Sequence, residues 1–370
     1  MVSTFGGVYS GRRVLVTGHT GFKGGWLGFW LRALGAEVCG LALEPAASPN
    51  LHSILEKDTY ARSWTCDLRD APGLRSAIRD CRPDVVFHLA AQPLVGVSYR
   101  EPAATFLTNA VGTLNLLESL REAACSAATL VVTSDKCYRN DNAGRAFVEE
   151  DALGGHDVYS MSKAATELVV ASWHASFFSK DLTLGCLATG RAGNVIGGGD
   201  YAEDRIVPDM VRAFDTARPL ILRRPQATRP WQHVLESLSG YLTLGQRMLT
   251  QPDRTHLLNY NFGPDAEAER TVQELVETWQ ATWPGSLQVQ LQPEPSYGEA
   301  LRLTLDHGKA TRELDWKPVW DFEHTVKQTA AWYRQRHETH ASSESMRELT
   351  FQQIAEYTVD ARRLGLNWTH

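Results

Sequence analysis

Charge of one sign is the first thing missing. Thirty-seven Lys and Arg stand against 43 Asp and Glu in 370 residues, a net charge of -6. So even a balance leaves no electrostatic footprint for nucleic acid or an anionic membrane surface. Long hydrophobic runs are missing too. No window nears the ~18 apolar residues of a membrane span, and the opening MVSTFGGVYSGRR lacks the apolar stretch of a signal peptide. Cysteine is sparse, at positions 39, 66, 81, 125, 137 and 186, with no CxxC. The one close histidine pair, His337 and His340, has no cysteine beside it. These gaps argue against a disulfide framework or zinc site and for a reducing compartment. The expectation is a cytoplasmic chain with no metal, no nucleic-acid partner and no membrane. Repeats and low-complexity segments are absent as well.

Apolar residues are plentiful, at 43%, enough for a large core. Short apolar runs predict strands at Val14–Thr17, Glu37–Leu43, Ser63–Cys66, Asp84–Leu89, Ala128–Thr133 and Leu182–Leu187. Helical patterns fill Gly24–Leu34, Ala71–Asp80, Ala104–Ala123 and Val158–Phe178 between them. That alternation predicts right-handed crossovers and an α/β fold, a Rossmann-like doubly wound parallel sheet. After about residue 190 the pattern loosens into a smaller, mixed α/β C-terminal lobe. Residues 1–190 form the expected cofactor-binding domain, with a return to it around 230–262, and 191–370 the substrate lobe. Two late helices are expected at Phe322–Arg336 and Met346–Arg363, separated by the polar loop HETHASSES.

The first strand runs into Gly18-His19-Thr20-Gly21-Phe22-Lys23-Gly24 and then a helix. Glycines in that context let backbone N–H groups approach a pyrophosphate at the helix's positive end. Glu44, just past the second strand, is placed for a ribose 2′-OH, and no arginine flanks it to receive a 2′-phosphate, which favours NAD over NADP. Asp67 ends the third strand, followed by Leu68, as an adenine contact, a helix N-cap, or both. His19 and Lys23, bulky or charged beside the pyrophosphate, bear on how tightly the dinucleotide is held.

Tyr159 and Lys163, four residues apart, share one helical face. An ammonium and a nicotinamide charge would lower the phenol's pKa and let it act as a base. With the GxxGxxG turn and the strand-tip Thr133-Ser134, this set resembles the extended short-chain dehydrogenase/reductases. The resemblance implies that Thr133 bonds the substrate hydroxyl or ketone and that Leu89, Ala90 and Ala91 line the cofactor. Asn109 is then a structural or cofactor-proximal group, and His88 a packed core histidine.

Finer markers are GHTGFKG, AAQPLV, TSDKCY, RAGNVIGGGD, RPWQHVL, NFGP and WKPVW, in order from Arg12 to about Trp320. They are similar to the nucleotide-sugar 4,6-dehydratases, which carry an acid pair where this chain has Asp135-Lys136; Asp-Lys resembles the CDP-glucose branch. The resemblance implies an NAD-dependent hydro-lyase acting on CDP-glucose: oxidation at C4, loss of the C5 proton and the C6 hydroxyl, and hydride return to C6. Asp135 and Lys136 supply the two extra acid/base groups, in either assignment. It also implies substrate contacts from Gln92, Ser134, Arg191, Asn194, Gly198, Arg205, Arg229 and His233, a homodimer or homotetramer, and a role in deoxysugars of lipopolysaccharide O-antigen. Gly96 departs from the branch, standing where an arginine is usual. Other readings are a dehydratase on another nucleotide, a C4 epimerase, which has no use for Asp135 and Lys136, and a non-catalytic NAD-binding regulator.

Overall fold

A computed structural model describes residues 4–45, 48–140, 144–283, 285, 287–292, 303–338 and 341–370. Seven parallel strands form the central sheet: β1 (Arg13–Thr17), β2 (Glu37–Ala42), β3 (Arg62–Thr65), β4 (Val85–His88), β5 (Ala128–Val132), β6 (Leu187–Ala192) and β7 (Leu258–Phe262). Their order is β7-β6-β5-β4-β1-β2-β3, so the order reverses beside β1, where an open α/β sheet leaves a crevice at its carboxyl ends. Successive side chains alternate between faces. Val14 and Val16 enter one apolar layer with Trp26 and Trp30, while Leu15 enters the other with Leu74, Ile78, Leu116 and Val170. The sheet is thus covered on both sides, which explains its nearly continuous apolar strands.

Two expectations shift. The strand expected at Leu182–Leu187 starts only at Leu187. Asp181 Oδ1 accepts Thr183 N at 2.9 Å and Leu184 N closes a turn on the Asp181 carbonyl, leaving Leu182 80% exposed. The expected polar loop HETHASSES is shorter, because the last helices span Phe322–Glu338 and Ser343–Arg363, the latter capped by Ser342 Oγ. His340 lies outside the described residues. The Ala104–Ala123 helical pattern holds, with a π turn at Leu107–Val111 that turns Asn109 inward. No described helix is long and apolar enough to cross a membrane.

The late chain closes back on the beginning. Trp368 stacks on Phe5 at 4.9 Å and the His370 carbonyl accepts Gly6 N at 2.7 Å. Glu236, fully buried in the Val234–Thr250 helix, accepts Val319 N (3.0 Å), Trp320 N (2.8 Å) and Tyr357 Oη (2.7 Å). One carboxyl therefore ties the WKPVW segment and the last long helix to the helix beneath the sheet. Burial pushes this carboxyl up to about 7 against those three donors. The folded chain therefore holds a proton there that the unfolded chain has released above about pH 4.5. The stability tied to that proton is full below pH 4.5 and is lost as pH rises toward 7, by at most about 3 kcal/mol. Denaturant midpoints measured from pH 4.5 to 8 are expected to fall more steeply in the native chain than in Glu236→Gln, and parallel slopes would refute the linkage.

Candidate active site

The crevice begins at the glycine turn. Gly18 has φ +75°, and a Cβ there would lie 2.8 Å from Ala90 Cα. A Cβ on Gly24 would meet the Gly18 carbonyl at 2.1 Å. Both glycines let the turn fold tightly under the loop after β4, where Leu89 N and Ala90 N bond the Thr17 carbonyl and hydroxyl. Gly21 caps the Phe22–Ala33 helix with no side chain of its own, so the first-turn N–H groups face the crevice. Glu44 is exposed at the end of β2 and accepts the Thr65 hydroxyl at 2.7 Å. A glycine-rich turn, a helix end without a side-chain cap and a carboxylate at the neighbouring strand tip fit a dinucleotide. Asp67 is held below the usual carboxylate range by hydrogen bonds from Arg69. The next helix is capped by Asp70, not Asp67, and Leu68 is buried against Gly112. His19 packs edge-on to His52 and Tyr60, and its burial lowers it to about 4.

The candidate catalytic residues stand at the tip of β5 and on the helix Val158–Trp173. Ser134 lies close enough to Tyr159 to act on its phenol; its Oγ donates to Asp135 Oδ1 at 2.7 Å and accepts Lys136 N at 3.2 Å. Burial pushes Asp135 up, against Lys136 and the Ser134 bond, and its Oδ2 is buried with no partner. Lys136 is half-buried. Lys163 Nζ reaches the Val132 carbonyl at 3.4 Å, and burial lowers it to about 8. Lys23 is partly exposed along its length, yet its Nζ reaches Tyr241 Oη at 3.3 Å; burial, then Arg205 and Lys163, lowers it to about 7.

In the protein alone, burial raises Tyr159 to about 12, with Ser134 and Arg205 opposing, so the lowering expected of it falls to the nicotinamide charge. Several other expectations are corrected here. Thr133 turns away from the cleft and donates its hydroxyl to Glu167, so Ser134 is the strand-tip hydroxyl that faces Tyr159. Arg191 is 2% exposed and spends its guanidinium on Glu167, Tyr138 Oη and the Glu149 carbonyl, which leaves it no diphosphate to hold. His233 is fully buried between Trp26 and Trp320, and its Nδ1 accepts Leu235 N. A Cβ on Gly198 would lie 2.0 Å from Trp332, and its carbonyl takes the Trp26 indole N–H, so that glycine serves packing. The Gln92 amide is spent on Leu94 and Thr105, and Asn109 bridges Gln92 to Ser162 beside Tyr159. His88 sits in the core between Thr17 and Thr113, and burial lowers it to about 3.

Arg205, Arg229, Asn194 and Phe22 remain around the cleft. Arg205 is half-buried on Asp200, and its charge acts on Tyr159 and Lys23. Arg229 acts on Asp135. Asn194 is half-buried next to Gly193, whose Cβ position is 3.1 Å from Asp135 Oδ2. Phe22 is half-buried under Gly197. At Gly96, a Cβ would lie 3.2 Å from Asp204 Oδ2 and 3.7 Å from Arg100 Nη1, so a carboxylate and a guanidinium both border the position. Glu167 was missed in the sequence, although it continues the Tyr159, Lys163 spacing by four more residues.

A family model described as GDP-mannose 4,6 dehydratase matches residues 15–329. The chain belongs to that family. It is 42% identical over 330 residues to the CDP-glucose 4,6-dehydratase of Salmonella typhimurium, covering 88% of this chain and 91% of that protein. The dTDP-glucose 4,6-dehydratase of Xanthomonas campestris is 27% identical over 86% of this chain and 92% of its own length. Among solved structures, a DesIV dTDP-glucose 4,6-dehydratase double mutant from Streptomyces venezuelae, with NAD and DAU bound, superposes with a TM-score of 0.75. It covers 90% of this chain and 99% of that one at 24% identity, a likeness of fold.

The two strand-tip hydroxyls can be separated by experiment. Ser134→Ala is expected to lower turnover on the order of 10²-fold, while Thr133→Val stays within a few-fold. Equal losses in steady-state kcat would return Thr133 to the cleft.

Proposed function

We propose that this chain converts CDP-D-glucose to CDP-4-keto-6-deoxy-D-glucose and water, with NAD held at the Gly18–Gly24 turn and Glu44. The observation that carries the reading is Asp135: a buried carboxyl next to Ser134, with one oxygen bonded and the other without a partner. Simple oxidation or epimerisation at C4 has no use for such a group, whereas elimination needs a neutral acid beside the leaving hydroxyl. The 42% identity to a CDP-glucose 4,6-dehydratase supports the same choice of nucleotide.

NAD supplies the hydride acceptor at C4 and the donor at C6. Ser134 grips the C4 oxygen and Tyr159 takes its proton. Burial alone resists an anionic phenol, so the positive groups around it, Arg205 among them, carry the cost of forming it. Lys136 removes the C5 proton; Asp135 gives its proton from Oδ2 to the departing C6 hydroxyl, which leaves as water. Hydride then adds to C6 and a proton from solvent to C5, in exchange for the one Lys136 releases; the proton taken by Tyr159 replaces the one Asp135 gave up, so one water is lost and the redox and proton balances close. Arg205, Arg229 and Asn194 receive the nucleotide diphosphate; the planar guanidinium fork suits it. The product is an intermediate for deoxysugars of surface polysaccharide, made in the cytoplasm.

The pairing surface belongs to the same reading. Met161 and Leu168 are 40% and 60% exposed, two turns apart on the Tyr159–Lys163 helix, and Leu107 is 43% exposed on the helix packed beside it. An apolar stripe directly behind the catalytic residues suits a second copy of the chain.

Incubation with NAD and CDP-glucose is expected to yield a 4-keto product absorbing in alkali, with UDP-, GDP- and dTDP-glucose turned over far more slowly. CDP-galactose as product, or no reaction, would sink the proposal. In the same assay Lys136→Ala keeps NAD binding and loses elimination; undiminished turnover removes the lysine from the mechanism. Leu168→Glu is expected to convert the dimer to monomer on sizing with light scattering, and an unchanged mass would place the interface elsewhere.

A further inference from the structure

Glu167 lies four residues beyond Lys163 on the Tyr159 face of the helix Val158–Trp173 and is 2% exposed. Each of its carboxylate oxygens has two partners. Oε1 accepts the Thr133 hydroxyl from the β5 tip and Arg191 Nε at 2.9 Å. Oε2 accepts the Thr189 hydroxyl and Arg191 Nη2 from β6, both at 2.9 Å. Arg191 Nη1 goes on to Tyr138 Oη (2.6 Å), which donates to Asn261 on β7 (2.8 Å). One carboxylate therefore joins the catalytic helix to β5, β6 and, through Arg191 and Tyr138, β7. Burial would push this carboxyl up, but Arg191 and the two threonines overcome it and hold it below its ordinary value, so it remains an anion.

We propose that Glu167 is a positioning residue for the Tyr159–Lys163 pair: from behind the site it supports the ammonium form of Lys163 and draws Thr133 out of the cleft so that Ser134 faces Tyr159. This deepens the dehydratase reading and rests on it for its kinetic arm. The groups that act on Lys163 come from several elements. Glu167, four residues along the same face, favours its charge, whereas Cys137, in the turn after β5, is kept a neutral thiol by burial. Lys23, from the glycine-turn helix, is a cation coupled to it. His88 on β4 also feels its charge and is held neutral by burial. Tyr159 and Asp135 complete the cluster, and burial holds both toward their neutral forms. Glu167 is therefore the fixed anion in the set. Its chelation by Arg191 keeps it from swinging into the cleft, where a carboxylate would compete with substrate.

The test is Glu167→Gln, which keeps the shape and loses the charge, with Glu167→Gln/Arg191→Met as a second variant that leaves no unpaired cation in the core. Lys163 is titrated directly by NMR of 13Cε-labelled lysine, its signal assigned with Lys163→Arg. Its midpoint is expected to fall by about one pH unit in both variants. The alkaline limb of kcat with CDP-glucose should fall with it, while KM for CDP-glucose is unchanged. A midpoint at the native value in either variant overturns the proposal. The NMR arm needs no turnover, so it stands even if CDP-glucose proves to be the wrong substrate, an outcome the native enzyme's own assay reports separately.

Discussion

Withdrawal from water at the carboxyl ends of β4, β5 and β6 sets the proton affinities of four groups in this site, two acids that rise and two bases that fall. Burial is the largest influence on Asp135 and Tyr159, which go up, and on Lys23 and Lys163, which come down. Each group is pushed toward its neutral form, the condition in which a carboxyl can donate a proton and an amine can accept one. A surface cluster of the same residues would hold all its charges and do no proton transfer at neutral pH. The crevice exists because the strand order reverses beside β1, and the late chain packs beneath the loop that follows β6.

That packing explains why so many aromatic residues stand far from the chemistry. Trp332 presses on Gly198, Trp26 bonds the Gly198 carbonyl, and Tyr333 donates to the Asp200 carbonyl at 2.5 Å. The GGGD segment is thereby fixed from beneath, and Arg205, five residues past Asp200 and paired with it, is aimed toward Tyr159. The loop's glycines serve close packing against indole rings as well as any approach to nucleotide. The segment after Trp320, which has no motif of its own, acts on the site through these contacts.

The sheet was legible because buried parallel strands are short apolar runs between helix-period segments, and Val14–Thr17 or Ala128–Val132 need no tertiary information to stand out. Leu182–Leu187 misled because its apolar residues begin in a turn set by Asp181, a side-chain effect that hydrophobicity does not register. The glycine turn and the Tyr159, Lys163 pair stand out by spacing, whereas Asp135 and Lys136 stand out only through the resemblance to the 4,6-dehydratases. Arg191, His233, Gly198, Gln92 and Thr133 were not legible, since each is polar or small within a segment that resembles a binding motif, and only three-dimensional packing decides whether such a residue faces the cleft or the core. Glu167 had a signal in its spacing from Lys163, but a carboxylate at a buried helical position is intelligible only once Arg191 is seen opposite it.

On the proposed reading, the turn DKC at the tip of β5 separates two kinds of proton traffic. Asp135 is buried, bonded on one oxygen and bare on the other, so a proton placed there leaves only toward something entering the cleft. Lys136, its neighbour in sequence, is half-buried and retains a route to solvent. On the proposed reading the two needs differ in the same way. The acid must hold its proton until the C6 hydroxyl departs, which burial enforces. The base must discard the C5 proton before the next turnover, and an amine near bulk water does so without passing it back through the acid. Two acids in these positions would both be drawn toward the neutral, protonated form by the same burial. A lysine beside an aspartate gives one group of each kind from adjacent residues.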